Sequence, residues 1–220
     1  GLLMPHWPTP YGRAADAVTQ VVIDEELARA GVTRPDIVIA GWALPTILQH
    51  GTDAQRERFV RPSLLGDLVW CQLFSEPGSG SDLASLRTKA VRVDGGWRIT
   101  GQKVWTSGAH DADFLLTFVR TDPDAPKHKG ISVLLIPTDL EGVVCRPFAD
   151  MCGIDNLDFN EVFFTGAVTD ADLVVGEVGK GWGVAMGLLG FERGVSTLGQ
   201  VVGFQRELAL VCDRARANGS

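Results

Sequence analysis

The sequence predicts an α+β protein in three parts. These are an N-terminal helical bundle over residues 1–66, a central β-barrel or sandwich over 67–176, and the beginning of a C-terminal helical bundle over 177–220. Three observations carry this. Helical apolar spacing dominates to about residue 65, short alternating segments broken by Pro, Gly and Asp follow, and helical spacing returns from Lys180.

In the first part, AADAVTQVVIDEELARAG places Val18, Val21, Val22 and Leu27 at helical intervals, with Gly31 as a stop. RPDIVIAGWALPTILQHG is apolar nearly all round, so it belongs inside a bundle, and Pro45 should kink or end it. In TDAQRERFVRPSLLG, Thr52 or Asp53 can cap a third helix. Asp24, Glu25 and Glu26 read as a solvated face.

In the second part, TKAVRVDGGWRITGQKVW alternates apolar and polar residues on either side of Asp94-Gly95-Gly96, a hairpin signal. DFLLTFVR, GISVLLIP, GVVCRPF and LDFNEVFF are further strands. No crossover helices separate them, which excludes a parallel α/β sheet. Asp111 and Asp113 should close a turn. The third part carries Gly181, Gly183, Gly187, Gly190, Gly194, Gly199 and Gly203 within a helical pattern. Each interior glycine costs a helix about 1 kcal/mol relative to alanine. So many imply close backbone or ligand approach, or several helices in place of one.

The chain of 220 residues is 45% hydrophobic and 21% charged, with a formal charge of −7, which argues against a nucleic-acid surface. No apolar run reaches the length of a membrane span, and the opening GLLMPHWPTP lacks the form of a signal peptide. Cys71, Cys145, Cys152 and Cys212 show no CxxC spacing, and His6, His50, His110 and His128 are scattered. Free thiols in a reducing cytoplasm, and no metal, are therefore expected.

The stretch FSEPGSGSDLASL, residues 74–86, gathers glycines and hydroxyls as anion-binding turns do. A Rossmann turn is excluded because leucine stands at the third glycine position and a hairpin follows. A phosphate-binding Walker loop is excluded by the missing lysine. Locally, a plain connecting turn bent by Pro77 and Gly78, with Asp82 capping a short helix, remains open.

Four stretches in order, WCQLFSEPGSGSDLASL, ITGQKVWTSGAHDADFLL, KGISVLLIP and GEVGKGWGVAMGLLGFERG, together resemble the acyl-CoA dehydrogenase family. The resemblance covers nearly the whole chain. It implies FAD at the meeting of the β-domain and the helices, with Gln72, Phe74, Ser75, Gly80 and Ser81 along the cofactor. Ser75 would face the ring's polar edge, and Gly80 and Ser81 the pyrophosphate or the acyl-CoA. Trp105, Thr106 and Ser107 would form a second wall, with Trp105 packed on the isoalloxazine.

The implied reaction is α,β-dehydrogenation of an acyl-CoA thioester. Its base must be a carboxylate in an enclosed apolar setting that brings its pKa toward that of the substrate. Glu192, between Leu188, Leu189, Gly190, Phe191 and Arg193, matches one of the family's two base positions, and Arg193 matches an arginine beside the active site. The structural alternative is an inter-helix carboxylate. Lys127, His128 and Lys129 form a basic loop that suits the ribose 3′-phosphate of CoA or simply solvent.

The resemblance also implies further helices before the HWPTPYG-like segment and beyond residue 220, the latter carrying part of the FAD site and most tetramer contacts. The string GFERG points toward bacterial enzymes for bulky or polycyclic acyl-CoAs, some of them heterotetramers. Electron-transfer flavoprotein is the implied acceptor. Two other functions stay open: a non-catalytic partner subunit of a heteromer, and an oxygen-using oxidase or monooxygenase on the same scaffold.

Overall fold

The computed structural model describes every residue except 36, 152, 154–156, 219 and 220, and gives the backbone alone for 194–203. The element order is α1 (Ala17–Arg29), α2 (Ala40–His50), α3 (Asp53–Leu65), β1 (Trp70–Leu73), β2 (Lys89–Val93), β3 (Gly96–Ser107), β4 (Phe114–Arg120), β5 (Ile131–Pro137), β6 (Val143–Pro147), β7 (Phe159–Asp170) and α4 (Gly181–Ala217).

Capping chemistry sets the helix ends. The Asp16 carboxylate accepts the Thr19 amide at the start of α1. Thr52 and Gln55 form a reciprocal capping box on α3, so threonine, and not Asp53, is the cap. Gly66 closes α3 at φ +84°, a left-handed geometry that suits glycine. Pro45 does not end the helix: it lies in mid-helix and α2 continues to His50. Burial of seven of the helix's residues against its neighbours offsets the missing N–H. By contrast, α1 buries none of its residues, and Val18, Val21 and Val22 are exposed.

The strands form one curled seven-stranded sheet in the order β1-β4-β2-β3-β7-β6, with β5 on the other side of β4. The expected hairpin is β2–β3, turning at Asp94-Gly95 with Gly95 at φ +78°. The sheet is not of the parallel α/β kind, but it contains short parallel pairings. β1 runs parallel to β4 over four residue pairs, and β2 joins β4 through Lys89 and Arg120. The serine-glycine turn, the short 3₁₀ turn and the chain up to β2 return β1 to the same edge of β4 without a helix.

β4 and β5 are buried on both faces, which is why they read as continuous apolar runs. Leu116, Phe118, Ile131, Val133 and Leu135 face the helices, with Leu44, Ile47, Phe59, Val184 and Leu188. Leu115, Val119, Leu134 and Ile136 face the inside of the curl, with Trp97, Ile99, Val162 and Phe164. The sheet therefore divides two cores.

The glycine-laden segment is one helix of 37 residues and not several. Gly181 sits where a Cβ would come within 2.8 Å of the Ile131 carbonyl and Ser132 Cα, a close approach of helix and strand. Gly183 and Gly190 have open space at the same point. Packing on α2 and β5 through Val184, Ala185 and Leu188 holds the first half of α4 despite its low helix propensity.

Candidate active site

The turn after β1 is anchored from below by a buried charge. Lys103, on β3, is 0% exposed, and its ammonium donates to the Phe74 carbonyl at 2.9 Å and pairs with Glu76 at 3.0 Å. The Glu76 carboxylate also accepts the Arg87 and Thr88 amides at 2.6 and 2.9 Å. Burial pushes Lys103 down to about 8, with Glu76 opposing the shift. Burial would raise Glu76, but the Lys103 charge and the two amides outweigh it and hold the carboxyl below its usual value. Sequence reasoning missed both residues. The signal was a lysine at an inward position of an alternating strand, between Gly101 and Val104.

Around this anchor the turn is tightly wired. Glu76 and Ser79 exchange both backbone hydrogen bonds, and the Ser79 hydroxyl donates to the Asp82 carbonyl. Asp82 precedes the 3₁₀ turn Leu83–Ser85 and receives the Ser85 hydroxyl and the Lys127 ammonium. Lys127 is thus committed to this turn, and its carboxylate partner is held below the usual range chiefly by that bond. Gly78, Gly80 and Ser81 lie exposed at the tip, and no atom comes within 4 Å of where a Cβ on either glycine would sit.

The second expected wall stands beside the first: the Val104 amide donates to the Ser75 carbonyl at 3.0 Å. Here β3 bulges against β7 between Lys103 and Thr106, and Trp105 takes φ +61°, a region that bulky residues rarely occupy. The bulge turns the Trp105 indole outward, 61% exposed and edge-on to Phe148 and Phe159. Such strain at an exposed aromatic points to a function. Thr106 faces inward: its hydroxyl donates to the Asn160 carbonyl and its own carbonyl accepts from the Asn160 side-chain amide. Ser107 ends β3, half-buried.

Glu192 reaches the same place from α4. The Gln72 side-chain amide points at the Glu192 carboxylate, Nε2 to Oε2 at 3.5 Å, the outer edge of hydrogen-bonding distance. Gln72 Oε1 is buried with no partner. Glu192 and Phe191 are half-buried and Arg193 is exposed, about 100° further round the helix. Gln72 on β1 thus meets Glu192 on α4, and Ser75 meets the bulge through the Val104 amide, while Gly80 and Ser81 lie exposed at the tip.

Two clefts flank α4. One of about 800 Å³ is lined by the N-terminal segment (Leu3, Met4, Trp7), α2 (Gly41, Pro45) and Phe191. The other, about 580 Å³, lies at the start of α4 between His128, Lys129, Lys180 and Trp182. His128 and Lys129 therefore stand at this cleft, although Lys127 does not line it. Among the described residues no cluster of His, Cys, Asp or Glu suits a metal, and Cys71, Cys145 and Cys212 are free thiols. Cys152 lies outside the described residues. Among the described residues, no helix is long and apolar enough to cross a membrane.

Residues 1–67 match the acyl-CoA dehydrogenase N-terminal domain, and residues 71–167 match the acyl-CoA dehydrogenase middle domain. The chain belongs to the acyl-CoA dehydrogenase family. It is 56% identical over 203 residues to acyl-CoA dehydrogenase FadE34 of Mycobacterium tuberculosis, covering 92% of this chain and 28% of that protein. It is 46% identical over 220 residues to acyl-CoA dehydrogenase IpdE1 of the same organism, covering 98% of this chain and 56% of that protein. The solved Tcur3481-Tcur3483 steroid ACAD superposes with a TM-score of 0.83 at 37% identity, over 99% of this chain and 56% of that one. The chain therefore spans about half the length of IpdE1, and less of FadE34. An acyl-CoA dehydrogenase of this family is an oxidoreductase acting on CH–CH bonds and dependent on flavin.

Proposed function

We propose that this chain supplies the flavin face and the base of an FAD-dependent acyl-CoA dehydrogenase for bulky, ring-bearing thioesters, converting acyl-CoA to the trans-2-enoyl-CoA. The observation that carries this reading is the Gln72–Glu192 contact. It brings a carboxylate from α4 to the edge of the serine-glycine turn and leaves a buried, unpartnered oxygen there. The residues fit a flavin. The Trp105 indole presents a face to a flat ring. The Ser75 hydroxyl and Gln72 offer polar partners to its edge. Gly80 and Ser81 leave room for a pyrophosphate against backbone amides.

The chemistry a bound flavin supplies is acceptance of the hydride from the substrate's Cβ. Glu192 takes the Cα proton onto a carboxylate oxygen, and Gln72 orients that carboxylate. The Lys103–Glu76 anchor keeps the turn rigid, so that its donors need no reorganisation during the reaction. His128, Lys129, Lys180 and Trp182 would receive the nucleotide end of CoA. Lys180 lies roughly 18 Å along α4 from Glu192 at 1.5 Å per residue, comparable to an extended pantetheine arm. The larger cleft beside Phe191 would accept the acyl group. Its volume and the steroid named for the solved relative favour a fused-ring substrate. Electrons would leave through an electron-transfer flavoprotein.

Glu192→Gln in the assembled, full-length protein tests this. With FAD content unchanged, the rate of flavin bleaching by an acyl-CoA should fall about 10³-fold, within the usual range for loss of a general base. A second reading is favoured by one solved relative, the ChsE4-ChsE5 complex from Mycobacterium tuberculosis. In it this chain is a subunit of a heteromer whose base lies on the other chain, and undiminished bleaching by Glu192→Gln would select it. Rapid peroxide formation in air would instead select an oxidase.

A further inference from the structure

The two sides of the candidate flavin slot come from segments about thirty residues apart, and one buried ion pair joins them. Lys103 precedes Val104 and Trp105 in the bulge, and its ammonium grips the Phe74 carbonyl and the Glu76 carboxylate on either side of Ser75. The next residue, Val104, returns a backbone hydrogen bond to Ser75. Glu76 in turn holds the far end of the turn through the Arg87 and Thr88 amides. A stability role alone is a weak reason for such a pair. Apolar residues of similar volume commonly serve a core as well or better. What they cannot do is define the register of two irregular segments by directional bonds.

We propose that Lys103 and Glu76 are positioning residues that lock the Phe74–Ser75 turn to the Trp105 bulge and so set the spacing of the two walls that receive the flavin. This rests on the flavin reading above. The pair touches neither cofactor nor substrate. It acts through Ser75 and Trp105, and it accounts for a strained tryptophan staying outward although Phe148 and Phe159 lie beside it. Its depressed ammonium pKa agrees with a fully buried charge whose retention needs a purpose.

The test uses the double variant Lys103→Met/Glu76→Gln in the full-length assembled protein, so that no unpaired buried charge remains to unfold it. Two readouts are followed: hydrogen exchange at the Val104 amide, and FAD affinity with the vibronic shape of the flavin absorbance band. The expected result is a melting temperature near wild type, at least tenfold faster exchange at Val104, at least tenfold weaker FAD binding and an altered band. Wild-type exchange at Val104 overturns the proposal whether or not FAD binds. Faster exchange with wild-type FAD affinity and spectrum also overturns it, because the walls would then not depend on the pair. If wild-type protein binds no FAD while Val104 exchange still rises in the variant, the flavin reading fails and the locking of the segments stands. Should the double variant fail to fold, Glu76→Gln alone, after which the buried Lys103 can shed its proton and stay neutral, gives the same two readouts.

Discussion

Gln72 and Glu192 stand 3.5 Å apart across 120 positions of sequence, joining the first strand of the sheet to the long helix. The contact leaves Gln72 Oε1 buried without a partner, a cost to the fold alone and an asset to a ligand. Replacing Gln72 with leucine removes that orphan. The flavin-free protein is therefore expected to keep or slightly raise its melting temperature, while FAD content on purification falls severalfold. Calorimetry alongside flavin absorbance checks both.

Lys103→Met by itself should be far more harmful than the double change. It leaves the Glu76 carboxylate buried beside an apolar side chain, and breaking such a pair costs about 3–5 kcal/mol. Denaturant titration of the single and double variants measures the difference, with Lys103→Met the less stable.

Protons report the same pair. Lys103 titrates at about 8 in the folded chain against an ordinary 10.5. Between these values the folded chain binds fewer protons than the unfolded one. This group alone therefore makes the fold gain stability as pH rises through that window. Nitrogen-15 spectra of labelled lysines should show one ammonium titrating near pH 8, absent from Lys103→Met.

Glu76 gives a slope of the same sign in a lower pH window. Its folded pKa lies below the ordinary 4.5, so its contribution is complete above about pH 4.5 and disappears as pH falls through the folded value. Glu76→Gln should be less stable at pH 7 and lose less on acidification to pH 3. Melting curves at both pH values decide it.

Two glycines of α4 should respond oppositely to alanine. At Gly181 the new methyl would meet the Ile131 carbonyl and Ser132 Cα at 2.8 Å, and a loss of about 1–3 kcal/mol is expected. At Gly190 nothing stands within 4 Å, so helix propensity should raise stability by up to about 1 kcal/mol. Gly190 also lines the larger cleft, so Gly190→Ala should raise KM for fused-ring acyl-CoAs more than for butyryl-CoA. Thermal melts and paired kinetics separate the two effects.

Periodicity and punctuation along the chain were sufficient for the helices of the first part, the Asp94-Gly95 hairpin and the apolar strands β4 and β5. They are local signals, set by which side chains repeat on one face and which residues tolerate a turn. The motif residues at 72–81, 105–107 and 192 were singled out by the resemblance of four stretches to the acyl-CoA dehydrogenase family, and not by such local signals. Tertiary structure alone decided that the first half of α4 stays helical through its glycines, because packing on α2 and β5 outweighs propensity there. It alone decided that β1 pairs parallel with β4, that Trp105 faces outward from a bulge while Thr106 turns in, and that Lys103 and Glu76 meet under the turn. Each of these depends on bonds between residues far apart in sequence, whose energies appear only when the chain has closed on itself.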